Sequence, residues 1–235
     1  MEARPAPAPT LPDWEAPPPS SSWPGVFATG AAWVALAVLG WLLADALGVP
    51  APLGAGIVIL VLALDLLTQG RRALRRAGAR PVAEGSSPRV ENVFRGTEER
   101  LEAGARLYVF PSPEPEALVC HSGAPAVAVS QGLVERFSRT EMEAVVVHCL
   151  LRLRSGGARR AELACHLRWL APAAGTVVGP HEDVCAVALT RYPPALVSAL
   201  RRSKEAAGGR APLYLVARHP CHVARDERIA ALADL

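Results

Sequence analysis

Two apolar runs joined by a tight turn constrain this chain most. Residues 26–47 carry a single charge, Asp45, near their end, and residues 53–67 carry a single charge, Asp65, also near the end. At a rise of about 1.5 Å per residue, roughly 20 apolar residues cross the hydrocarbon core of a bilayer. Gly48-Val-Pro-Ala-Pro52 reverses the chain between the runs. A helical hairpin buried inside a globular protein is the competing reading. Two such runs exceed what a small domain needs to bury, so a transmembrane hairpin over residues 25–69 is expected, with spans at 26–47 and 53–67. Asp45 and Asp65 then fall at the interfaces, where a charge costs little. Arg71, Arg72, Arg75, Arg76 and Arg80 follow at once. The excess of arginine places that side in the cytoplasm, and a hairpin returns the N-terminus there too. The expected location is therefore the cell membrane, multi-pass, with the soluble domain on the cytoplasmic side. The lipid bilayer is the first expected partner, and the arginines suit its anionic headgroups.

The flanks are simpler. Residues 1–24, rich in Pro, Ala and Ser, read as a disordered tail, and residues 70–87 as a basic juxtamembrane linker. A net charge of +3 is too small to argue for nucleic acid, and no such partner is expected. The five cysteines are irregularly spaced and form no C-x-x-C, which suits free thiols on a reducing side. Neither a phosphate-binding glycine loop nor a nucleophile elbow occurs.

Residues 88–235 are long enough for one hydrophobic core. Periodicity and capping signals predict helices near 89–104, 132–137, 139–153, 157–171, 181–190, 193–206 and 224–234. Strands are expected near 106–110, 116–121 and 126–130, with Ala126–Ser130 at an edge open to a peptide. The class is α+β, mainly helical, with a small sheet.

One helix carries a chemical signal. Ser138 and Glu141 make an S-x-x-E capping box, followed by Val145-Val-Val-His148-Cys149-Leu-Leu-Arg152. A zinc peptidase helix writes H-E-x-x-H: two histidines share a face and bind the metal, and the glutamate takes a proton from its water. Here only the first histidine, His148, is in place. Around it stand Arg106-Leu-Tyr-Val-Phe110, Ala126-Val-Ala-Val-Ser130-Gln-Gly-Leu133, Asp183-Val-Cys-Ala-Val187 and His219-Pro … Asp226-Glu-Arg-Ile-Ala-Ala-Leu232. In order and spacing this set, covering most of residues 88–235, resembles the M48 family of membrane metallopeptidases, the HtpX-like group.

That resemblance implies a zincin-like domain. His148 matches the family's first zinc ligand, Cys149 departs from the general base, and Arg152 departs from the second ligand. Gly179, four residues before Asp183, stands where the third ligand belongs, and Asp183 matches the acid that orients the first histidine. Arg152 is expected to take a carboxylate, with Glu182 or Asp183 nearest. The reading is a membrane-anchored M48-like pseudo-peptidase without catalytic residues or cofactor, acting by binding a protein or peptide. Two alternatives stand beside it. One is an active zinc metalloendopeptidase with a rearranged site, using His148, His181 and Cys185 with Cys149 as its neighbour. The other is a membrane-anchored interaction domain unrelated to proteolysis.

Overall fold

A computed structural model describes residues 23–166, 180–220 and 222–233. The Pro-rich tail, the expected continuation of a helix to 171, and Gly179 and Cys221 lie outside the described residues.

Helix α1 (Trp23–Ala46) and helix α2 (Ala51–Ala77) lie against one another. Their contact is close because it is made at glycines. A Cβ added to Gly54 would stand 2.2 Å from the Gly40 carbonyl oxygen and 2.6 Å from the Ala44 Cβ. The outer faces remain apolar and exposed, with Val38, Leu42 and Leu43 on α1 and Ile57, Leu60 and Leu67 on α2. α2 is long and apolar enough to cross a membrane, whereas the apolar part of α1, Gly30–Ala46, is shorter. Length and composition therefore support one crossing helix where two were expected.

α2 does not stop where its apolar run stops. It continues through Arg71–Arg76 and ends at Gly78, whose left-handed backbone (φ 68°) donates its N–H back to the last turn. The expected linker at 70–87 is thus helical as far as Ala77, and Ala73 and Leu74 are buried in the domain. Gly70 is what lets the helix in: a Cβ there would lie 1.8 Å from the His121 carbonyl oxygen. The end of the apolar run marks where the helix leaves apolar surroundings, which is a different thing from where its hydrogen bonds end.

Helix α3 (Pro88–Leu101) precedes strand β2 (Arg106–Phe110), with a two-residue strand β1 (Arg80–Pro81) lying before both. Strands β3 (Ala117–His121) and β4 (Pro125–Ser130) form a hairpin. The sheet order is β1-β2-β4-β3, with β2 and β4 parallel and the other pairs antiparallel. β4 is therefore internal, and the expectation of an edge at Ala126–Ser130 is corrected. The reason lies in its side chains. Val127 and Val129 face one core with helix α5 (Arg139–Arg154), while Ala126 and Ala128 face a second core with Ala73 and Leu74 of α2. A strand covered on both faces is apolar throughout.

Helices α4 (Gln131–Arg136), α5 (Arg139–Arg154), α6 (Gly157–His166), α7 (Pro180–Thr190), α8 (Pro193–Arg202) and α9 (Arg225–Ala233) complete the chain, with a 3-10 turn at Ala211–Leu213. Ser130 closes β4 and caps α4, its hydroxyl accepting from Leu133 N at 3.0 Å. α3 and α8 end at residues 101 and 202, short of the expected 104 and 206. α5 packs against α3, α7 and α8 on one side of the sheet, and α2 and α6 cover the other.

Candidate functional site

The site is built on α5, and its start is fixed by the capping box. Ser138 Oγ accepts from Glu141 N at 3.2 Å, and Glu141 Oε2 accepts from Ser138 N at 2.7 Å. Glu141 also accepts the Ser198 hydroxyl at 2.6 Å and the Arg202 guanidinium at 2.8 Å, which ties α5 to α8. Burial would raise the Glu141 carboxyl, but the bonds from Ser198, the Ser138 backbone and Arg202 outweigh it and lower the pKa. Beyond this turn every residue from Ala144 to Leu153 is buried. Three consecutive valines are poor helix formers, and here burial on all sides overrides propensity.

His148 lies two turns on from Glu141, and α7 crosses beside it. The His148 Nδ1 is 3.0 Å from Asp183 Oδ1, within the reach expected from the sequence. His148 Nε2 is buried without a hydrogen-bond partner among the described residues. Asp183 is held from its other side by Arg228 of α9. Arg228 Nε and a terminal nitrogen donate to the two carboxylate oxygens, each at 2.7 Å, and its other terminal nitrogen donates to Leu215 O at 2.6 Å. Burial would push the Asp183 carboxyl up; the Arg228 charge and bonds override it and, with His148 adjacent, hold it well below the usual carboxylate range. Such a fork-to-fork pair fixes orientation as well as charge.

Arg152 sits one turn beyond His148, 1 % exposed, and its partners differ from those expected. Its hydrogen bonds go to the carbonyls of Leu213 at 3.3 Å, Tyr214 at 3.0 Å and Pro212. Asp183 is already saturated by Arg228. Glu182 favours the Arg152 charge from nearby and lies 3.8 Å from Arg160. A 3-10 turn leaves its last carbonyls without partners, and a buried guanidinium satisfies several at once. Burial lowers Arg152 to about 10, so it stays charged at neutral pH. His222 Nε2 lies 3.2 Å from the same Pro212 oxygen. Burial, and then Arg152, push His222 far below its usual range.

Burial disfavours the ionised form of the thiols on α5 and α7. Cys149 is pushed up to about 12 by burial, against the pull of Arg152 and Arg228. Cys185 is pushed up to about 11 by burial and by Glu182 and Asp183. The His181 side chain and Gly179 lie outside the described residues. Among the described residues no group of three His, Cys, Asp or Glu side chains could hold a metal ion. Zinc needs three or four protein donors. His148 offers one oriented nitrogen, and a donor-only guanidinium stands one turn on at Arg152. These residues do not fit a zinc ion.

Sequence reasoning missed two parts of this arrangement. Arg228 was visible only as one letter of the E-R-I triplet, with no role assigned. The segment around Tyr214 also matters: Leu118 pairs with Tyr214 in an antiparallel bridge, and Leu215 N donates to Ala117 O at 2.8 Å. The outer edge of β3 is therefore covered by the chain itself.

Comparison with known proteins gives one informative relative. A protein described as a protease HtpX homolog, from Pelotomaculum thermopropionicum, is 33% identical over 86 residues. That stretch is 35% of this chain and 31% of the relative, so the chain spans about a third of the length of the protein it matches. The similarity points to an M48-like family. No family model matches the chain, and no solved structure matches it.

Proposed function

We propose that this chain is a membrane-anchored, M48-like pseudo-peptidase that acts by binding a protein or peptide instead of cleaving one. The observation that carries the reading is Arg152. At the position of the second metal histidine stands a buried guanidinium bonded to the carbonyls of Pro212, Leu213 and Tyr214. Arginine offers only donors and cannot ligate a cation. The HtpX-like relative supports a membrane protein of this type, and α2 supplies a helix able to cross. On this reading α1 and α2 are the hairpin, and the arginines after Leu67 favour a cytoplasmic side for the domain. Partner capture by strand addition at Ala126–Ser130 is withdrawn, because β4 is internal.

Elemental analysis of protein purified without chelator, paired with a casein-cleavage assay, tests this function. Neither stoichiometric zinc nor cleavage is expected. Zinc bound one to one, with cleavage abolished in His148→Ala, would overturn it. Reporter fusions at both termini test the topology, and a C-terminal reporter active outside the cytoplasm sinks the sidedness.

A further inference from the structure

Contacts at successive turns of α2 set the order of the domain along that helix. The His121 carbonyl of β3 lies against Gly70, and a Cβ at Gly123 would stand 3.3 Å from an Arg71 guanidinium nitrogen. One turn further, Ala73 and Leu74 are buried with Leu118 and Cys120 of the same strand. Another turn on, a Cβ at Gly78 would stand 3.4 Å from Pro111 Cδ. Pro111 follows Phe110, which pairs with Ser130 at the other end of β4. The β3–β4 turn is thus the end of the sheet that points toward the apolar run of α2. Glu162 of α6 fastens this meeting point. It accepts from His121 N, its Oε2 lies 3.4 Å from His121 Nδ1, and its Oε1 is 3.0 Å from where a Gly70 Cβ would be. The Cys120 thiol donates to Gly70 O at 3.7 Å. Strand, α6 and α2 are locked at one level, so the depth of the helix sets the depth of the turn.

That depth follows from the helix. Leu67, 73% exposed, closes the apolar run. At about 1.5 Å per residue, Gly70 and Arg71 stand roughly 5–6 Å beyond it, Leu74 roughly 10 Å and Gly78 roughly 16 Å. The polar layer on each face of a bilayer is about 5–8 Å deep. Of these contacts, only those of His121 and Gly123 fall inside that layer. The turn suits it: Ser122-Gly123-Ala124 carries no charge, Gly123 is exposed, and the reversal is tight, with Ser122 N donating to Ala124 O at 2.9 Å. We propose that the β3–β4 turn rests in the headgroup layer, so that the domain docks on the lipid surface by this end of its sheet. The proposal rests on α2 spanning the bilayer.

The test uses the full chain in phosphatidylcholine vesicles that carry a nitroxide on the lipid headgroup. A thiol-reactive fluorophore is placed at Ser122→Cys, at Ala124→Cys on the other side of the turn, or at Glu135→Cys, and the signal of the labelled parent chain is subtracted. Glu135 is exposed on α4, beyond the six residues of β4. At about 3.3 Å per residue that strand sets it roughly 20 Å from the turn. Both turn positions should lose about half their emission to the headgroup nitroxide, as groups at that depth, and Glu135→Cys should lose almost none. Quenching at the turn no greater than at Glu135→Cys overturns the docking. Stronger quenching at the turn by a nitroxide deep in the acyl chain also overturns it, because the turn would then lie in the hydrocarbon. Release of the protein from the vesicles by alkaline carbonate would overturn the span itself, a result separable from an unquenched turn on a chain that stays in the membrane.

Discussion

Replacing Arg228 with methionine probes the buried centre most directly. In the folded chain Asp183 accepts two bonds from Arg228 at 2.7 Å, and both residues are essentially without solvent contact. Arg228→Met fills similar volume but strands the carboxylate, which keeps only His148 Nδ1 at 3.0 Å. Leu215 O also loses its donor. Breaking one side of a buried ion pair costs about 3–5 kcal/mol, because the other charge is left desolvated and unpaired. In a domain of this size each kcal/mol moves Tm by roughly 2–4 °C, so a fall of about 10 °C is expected. Asp183→Leu strands the guanidinium and should cost a comparable amount. The double variant removes both charges and should return to within about 1–2 kcal/mol of wild type. Thermal melts of the full chain in detergent, followed by circular dichroism, give all four corners of the cycle. If the two losses simply add in the double variant, or if Arg228→Met costs under about 1 kcal/mol, the pair does not hold α7 to α9 as argued.

Further outcomes follow from the same geometry. Arg152→Lys keeps the charge but replaces a planar fork serving three carbonyls with a point donor, so a loss of about 1–3 kcal/mol in the same melt is expected, and none would refute the clamp. Cys149 and Cys120, each pushed up to about 12 by burial, should resist alkylation in the folded protein at mildly alkaline pH and react once it is unfolded; labelling mapped by mass spectrometry reads this, and rapid native labelling of Cys149 would refute its placement. The folded pKa of Glu141 lies below the ordinary value of 4.5, so its contribution is present above pH 4.5 and lost as pH falls through the folded value. Glu141→Gln should therefore be less stable than wild type at neutral pH and approach it in acid, whereas a gap that persists in acid would refute this linkage. Gly70→Ala sets a Cβ against the His121 carbonyl and should cost about 1–3 kcal/mol by forcing α2 away from β3, to be read by protease sensitivity near residues 77–87.

Local signals were readable and pair geometry was not. The Ser138 and Glu141 box predicted the start of α5, and both of its hydrogen bonds form. The strands at 106–110 and 126–130 were legible because apolar runs between turn residues leave few other options. The position of β4 inside the sheet was readable in principle. Ala126-Val-Ala-Val129 contains no polar residue, and an edge with one wet face alternates. The two-residue β1 gave too short a signal, and its proline speaks against a central strand without excluding an edge. Arg228 meeting Asp183 across 45 positions depends on how helices stack and leaves no periodic trace. The length of α2 was misread because hydropathy reports the environment and the Gly78 cap reports the hydrogen-bond end.

The charges around His148 explain how such a centre holds together. Asp183 and Glu182 are buried acids, and Arg152 and Arg228 are buried cations beside them. Each ion taken from water costs several kcal/mol, so the set persists only if donors and acceptors are matched. Arg228 fulfils this with Asp183 and Leu215 O, and Arg152 with three consecutive carbonyls. Both guanidiniums thereby fasten the 212–215 segment, whose own N–H and carbonyl groups complete the outer edge of β3. On the pseudo-peptidase reading, the same substitution that removes a metal ligand also locks the neighbouring strand edge. Restoring a histidine at position 152 would then remove a clamp as well as add a ligand, and the domain should lose stability before it gains any affinity for metal. On the same reading, any partner meets surfaces other than the His148 centre, because His148, Arg152 and Asp183 are buried.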